Sequence, residues 1–152
     1  MLIFGCAPSK YIEPSNDNAT ASVSFERESK SGILGSLTVF VSIDDSFSPC
    51  TGRGFRDQQR IAVLDKGNPI VKSDEKTTFR FLPQNDFRLL IRNSSGLSTC
   101  DVVLAFRTQK GKEYRVLAKE GSQSNVYSCS AEVFEFGGDS IENVNLNEYH
   151  QC

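Results

Sequence analysis

The side chains able to do chemistry are few, and their spacing is unhelpful to catalysis. One histidine, His150, stands two residues from the C-terminus. Nucleophilic catalysis usually sets a His beside a Ser or Cys, and zinc sites gather several nitrogen or sulfur donors. A single His at an end expected to fray serves neither. The five cysteines, Cys6, Cys50, Cys100, Cys129 and Cys152, are widely spaced with no C-x-x-C pair. Zinc-ribbon and thioredoxin-like readings therefore fail. No serine sits in a G-x-S-x-G elbow, and Ser29-Lys30 reads as an exposed pair. Asp44-Asp45 lacks the D-x-D-x-D-G context of a calcium loop and reads as a solvated turn. Asp74 or Glu75 would need a second acid facing it across a cleft, which sequence does not supply. The expectation is a protein with no catalytic residues, no metal and no cofactor.

The same cysteines carry a different message once their surroundings are read. Ile3-Phe4-Gly5-Cys6 resembles a bacterial lipobox, in which an aliphatic residue, a variable residue and Gly or Ala precede an acylated Cys. In that class of signals the Cys becomes the first mature residue, and Ala7 after it permits sorting to the outer membrane. A signal peptide needs an apolar run of about 7–15 residues, so either Met1 is an internal start with the signal further upstream, or this is an ordinary N-terminus with one apolar cluster. Residues 7–20 are rich in Pro, Ser, Asn and Asp and read as a flexible tether. An exported chain favours disulfides. With Cys6 set aside, four cysteines remain, enough for two bridges in any of three connectivities. The pairing expected here is Cys129 with Cys152, holding the tail, and Cys50 with Cys100.

The elements that must position these groups are strands. Period-two alternation marks one buried face at Ala21, Val23 and Phe25, another at Phe79 and Phe81, and another at Phe87, Leu89 and Ile91. Cys100, Val102, Leu104 and Phe106 continue it, as do Tyr114, Val116 and Ala118. Residues 36–43 and 61–64 supply two further runs. Turn signals at 82–86, 109–112 and 120–124 separate them, and 109–112 reads as a hairpin. The apolar phase changes between Val133 and Phe134, for which a β-bulge near Val133 is the expected cause. About seven to eight strands with frequent turns predict an all-β chain, an antiparallel β-sandwich. The expected layout is a signal remnant at 1–6, the tether at 7–20, the sandwich at 21–136 and a polar tail at 137–152. The chain is 152 residues long, enough for one core, and eleven Phe with no Trp must help fill it.

Three segments give a resemblance. An Ala-Ser-Val-Ser-Phe strand opens the domain, Phe81-Leu82-Pro83-Gln84-Asn85-Asp86-Phe87-Arg88-Leu89 places a proline turn between strands, and Gly111-Lys112-Glu113-Tyr114-Arg115-Val116 opens another strand. Together they resemble the small bacterial β-sandwich lipoproteins related to PEGA-type domains. That resemblance implies surface attachment, binding of protein or envelope, and no enzymatic activity.

Binding surfaces are then the remaining question. A formal net charge of −2 argues against nucleic acid, which needs clustered cations. Arg53, Arg56 and Arg60, interleaved with Gly52 and Gly54, offer either an anion-accepting loop or a solvated one. Phe40, Leu90 and Val103 occupy the otherwise polar parity of their strands. They form an apolar patch for a partner protein if exposed, or mark central strands covered on both faces. Asn18 and Asn93 begin glycosylation sequons, relevant in a eukaryotic source. The leading expectation is a non-catalytic, lipid-anchored envelope protein serving as a binding or assembly subunit for a protein partner. The alternative is an inhibitor or lectin-like module that captures an enzyme or glycan through the loop 50–60. Oligomeric state is left open.

Overall fold

The computed structural model describes residues 9–15, 19–28, 36–42, 58–64, 76–95, 98–123 and 126–152. Among the described residues eleven strands follow one another: β1 (Ser9–Lys10), β2 (Ala21–Arg27), β3 (Ser36–Ser42), β4 (Gln58–Leu64), β5 (Thr78–Phe81), β6 (Phe87–Ser95), β7 (Ser98–Phe106), β8 (Glu113–Gln123), β9 (Val126–Gly137), β10 (Ser140–Asn143) and β11 (Leu146–Gln151). They form a six-stranded sheet in the order β1-β4-β3-β6-β7-β11 and a five-stranded sheet in the order β10-β9-β8-β2-β5. The chain is an all-β sandwich, as the alternation requires.

Each alternating face predicted from sequence is buried. Ala21, Val23, Phe25, Phe79, Phe81, Phe87, Leu89, Ile91, Cys100, Val102, Leu104, Phe106, Tyr114, Val116 and Ala118 all join one core cluster between the sheets. Residues two apart on a strand share a face, so one apolar stripe per strand suffices to close the two layers. Aromatic rings run through this core in sequence. Tyr11 stacks on Phe81 at 4.7 Å, Phe81 meets Phe87 at 4.6 Å, Phe87 meets Phe106 edge-on at 5.5 Å, and Phe106 meets Tyr114 at 5.5 Å.

Four features depart from the sequence expectation. Two strand pairs are parallel, β1 with β4 and β2 with β8, and in each case the chain visits the other sheet between the two partners. The 109–112 turn thus joins β7 in one sheet to β8 in the other and is not a hairpin; Gly111 takes φ 74° there, a conformation glycine adopts without strain. The ladder of β8 and β9 runs without a break from Gln123↔Val126 to Glu113↔Phe136, so there is no bulge near Val133. Register shifts fall elsewhere, between Val39 and Phe40 on β3 and between Leu146 and Glu148 on β11.

The fourth departure is at the flanks. Within the segment 7–20, Ser9–Lys10 forms a strand on β4, and Tyr11 and Glu13 bond Arg80. The tail 137–152 is also built in. A two-residue turn, with Gly138 at φ 62°, sends β10 back along β9. β11 then covers the edge of β7. Its anchors are the Tyr149 hydroxyl accepting from the Ala131 N–H (3.2 Å), the Gln151 amide donating to the Cys129 carbonyl (2.9 Å), and the Cys152 N–H donating to the Asp101 carbonyl (2.8 Å).

The disulfide pairing is also corrected. Cys100 bonds Cys129, with Cα atoms 5.9 Å apart, joining β7 to β9 across the core. The expected pairs Cys129–Cys152 and Cys50–Cys100 are therefore excluded. Cys100 and Cys129 both lie on the inward parity of strands in opposing sheets, which puts their sulfurs face to face.

Candidate functional site

Registers across the six-stranded sheet bring four of the sequence-singled residues into one row. Arg60 on β4 pairs with Phe40 on β3, Phe40 with Leu90 on β6, and Leu90 with Val103 on β7, beside which lies His150 on β11. The row is real, yet two of its members are not available to a partner. Leu90 is 4% exposed and Val103 fully buried. The patch reading fails for them because β6 and β7 lie at the middle of the sheet and are covered on both faces. Arg60 is exposed, and its carbonyl accepts the Tyr11 N–H at 2.8 Å. Arg53, Arg56, Cys6, Cys50, Asp44, Asp45, Asp74, Glu75 and Ser29-Lys30 lie outside the described residues.

The same outer face carries fixed ion pairs. Arg88 and Arg92 flank Leu90 on β6. Arg88 donates to Glu148 at 2.6 Å, and Arg92 forms a two-point bond to Asp101 with both contacts at 2.7 Å. These arginines cross-link neighbouring strands and are not loose cations awaiting an anion. His150 lies 3.2 Å from Glu148 on an exposed edge. Asn93, 1% exposed, cannot accept a glycan in the folded chain.

The outer face of the five-stranded sheet carries a strip of open apolar surface. With no bulge at Val133, Phe134 and Phe136 point away from the core, and both are only partly covered. Ile141 on β10 pairs with Phe136 and is 62% exposed. Leu117 on β8 shares the face. The Arg115 guanidinium lies 4.6 Å from the Phe136 ring centre, a contact of the cation–π kind. Ion pairs border the strip: Lys119 with Glu132 (2.9 Å), Arg115 with Glu26 (3.4 Å) and Lys112 with Glu135 (2.9 Å). The bonds to Glu132 and Glu135 raise the Lys119 and Lys112 ammonium pKa values, holding both cations charged. Sequence reading missed this strip because it assigned the Val133–Phe134 phase change to backbone irregularity and not to a second apolar face.

One end of the sandwich is concave. A cleft of about 310 Å³ lies among Pro83, Gln84, Asn85, Arg107, Thr108 and Lys110. A second of about 220 Å³, sharing Arg107 and Gln109 with it, reaches Tyr114, Glu135, Glu142 and Asn145. The Tyr114 hydroxyl accepts the Gln109 N–H at 3.0 Å, and burial raises the phenol pKa. Both clefts are open to solvent, and Glu135 and Glu142 both line the second.

At the opposite lateral edge the N-terminal segment is fixed. The Tyr11 hydroxyl donates to the Arg80 carbonyl at 2.8 Å. Burial, with the charge of Glu13, pushes its pKa up to about 12. Glu13 accepts the Arg80 N–H at 2.7 Å and pairs with Lys76. Burial opposes ionisation of Glu13, but the bonds from Lys76 and Arg80 outweigh it and hold the carboxyl below its ordinary value.

Among the described residues there is no cluster of three or more metal-ligating side chains, and no helix is long and apolar enough to cross a membrane. Comparison of the chain with protein-family models, curated proteins and solved structures gives no match.

Proposed function

We propose that this chain is a non-catalytic, lipid-anchored protein of a bacterial envelope, acting as a binding or assembly subunit for a protein partner. The observation that carries the reading is how the N-terminus is fixed relative to the open apolar strip. β1, Tyr11 and Glu13 hold the chain to the β4 and β5 edges. Cys6 precedes Ser9 by three residues, which span at most about 11 Å. An acyl group on Cys6 would therefore hold that edge of the body close to the lipid surface. The strip formed by Leu117, Phe134, Phe136 and Ile141 runs over β8, β9 and β10, at the far side of the five-stranded sheet from β5. Anchoring one edge leaves that strip facing outward for a partner.

The partner's matching surface is apolar at its centre and polar at its rim. The charges around the strip are already paired with each other, so burial of Ile141 and Phe136 supplies the attraction, at about 25 cal/mol per Å² of apolar area. Cys6→Ser tests the anchor. The full chain, expressed with its lipoprotein signal, partitions into the detergent phase on cloud-point separation and takes up labelled palmitate. The variant stays in the aqueous phase unlabelled. Equal partitioning of both chains contradicts the anchor.

A further inference from the structure

The inward stripe of β9 changes chemistry at one end of the sandwich. Cys129, Ala131 and Val133 are buried in the core, and the next residue of that parity is Glu135. Glu135 stands opposite Tyr114 of β8 on one side and Glu142 of β10 on the other. A carboxylate on a core-facing parity is costly unless the layers part there. Here they part, and Tyr114, Glu135 and Glu142 line the cleft of about 220 Å³. Like charges directly opposite each other on neighbouring strands destabilise a sheet. Lys112 bonds Glu135 at 2.9 Å, and Glu142 has no ion pair among the described residues.

Arg107, one residue past the end of β7, lines the same cleft. Among the described residues it too forms no ion pair, with Glu142 or with any other acid. One cleft thus holds a guanidinium and a carboxylate that do not bond each other. Tyr114 lies beneath them and is 2% exposed. Its hydroxyl accepts the Gln109 N–H at 3.0 Å, while its own proton has no acceptor among the described residues. Buried donors normally have an acceptor. The charges of Glu135, Lys112 and Arg107 all act on this phenol, so it sits among them.

We propose that this cleft binds a small zwitterion of the α-amino-acid class, its carboxylate held by Arg107 and the Tyr114 hydroxyl and its ammonium by Glu142 and Glu135. The charge pattern selects that class. Two cations, Arg107 and Lys112, and two acids, Glu135 and Glu142, sum to zero around the cleft. A plain anion meets both carboxylates, and a plain cation meets both cations. A neutral sugar offers Arg107 and Glu142 only neutral partners, and bonds in which both groups are charged are roughly twice as strong as neutral ones. The site is on the opposite face of β9 and β10 from the strip of Phe136 and Ile141. It stands whether or not the anchor and partner reading does.

Amide NMR of the full chain tests it, by separate titration with L-alanine, L-glutamate and L-lysine. At least one should give saturable shifts at Gln109, Tyr114 and Glu142. The N-acetyl form of that amino acid, which lacks the ammonium, and its carboxamide, which lacks the carboxylate, should each bind about tenfold or more weakly. Arg107→Gln and Glu142→Gln, at exposed positions, should each weaken binding as much and leave the rest of the spectrum in place. No saturable shift from any of the three amino acids overturns the proposal. So does equal binding of the N-acetyl form, which would mark a plain anion site, or tighter binding of methyl α-glucoside, which would mark a sugar site.

Discussion

At the scale of single residues, the most consequential polar contact is the pair Arg27–Glu120. Their charged atoms are 2.7 Å apart, and their side chains are only 6% and 8% exposed. A buried charge that loses its partner keeps its desolvation cost without the compensating attraction. Glu120→Gln should therefore destabilise the fold by about 3 kcal/mol. Glu26 offers the control on the neighbouring outer face, with a 3.4 Å contact to Arg115 at 49% exposure. Glu26→Gln should cost under about 0.5 kcal/mol, since water already screens that pair. Denaturant unfolding of both variants checks the contrast; equal costs would show that burial does not set the strength of these pairs.

Single elements separate what the sequence made legible from what it hid. The β2, β5, β6, β7 and β8 stripes were readable because each carries a full apolar alternation, and burial follows that pattern residue by residue. β11 was not readable, because Leu146 to Gln151 presents mostly polar side chains and is held by bonds from Tyr149 and Gln151 to distant backbone. β1 is two residues long, and its docking rests on Tyr11 and Glu13, whose partners lie 69 and 67 positions away. Such partners leave no periodic trace. The disulfide pairing was hidden for the same reason, since it depends on which strands face each other and not on spacing. In the candidate site, Leu90 and Val103 were found by parity, but parity alone does not say whether an outer face is covered.

The docked N-terminal element has a pH signature with two limbs. Glu13 is held below its ordinary value when folded, so it contributes stability above about pH 4.5 that is lost as pH falls through its lower folded value. Tyr11 is shifted from 10.0 to about 12, so its contribution is present below pH 10 and lost as pH rises through about 12. Hydrogen exchange at the Tyr11 amide should quicken relative to its intrinsic rate at acid pH, and Glu13→Gln should abolish that pH response. On the alkaline limb, the absorbance difference between wild type and Tyr11→Phe should titrate near pH 12. A midpoint near 10 would mean that the segment is undocked.

For the whole molecule, the sandwich combines an edge to which the N-terminal strand is docked, a core spanned by the Cys100–Cys129 bond, and an open apolar strip on the far half of one sheet. Each part follows from residues already placed. β1 and Tyr11 fix the edge, facing parities set the disulfide, and the unbroken β8–β9 register turns Phe134 and Phe136 outward. The central claim is the lipid on Cys6. Its most direct test is the intact mass of the protein extracted from its own membranes without reductant. The account predicts a chain beginning at Cys6, heavier by its acyl groups and lighter by two hydrogens for each of two disulfides. A mass with Cys6 unacylated would contradict it.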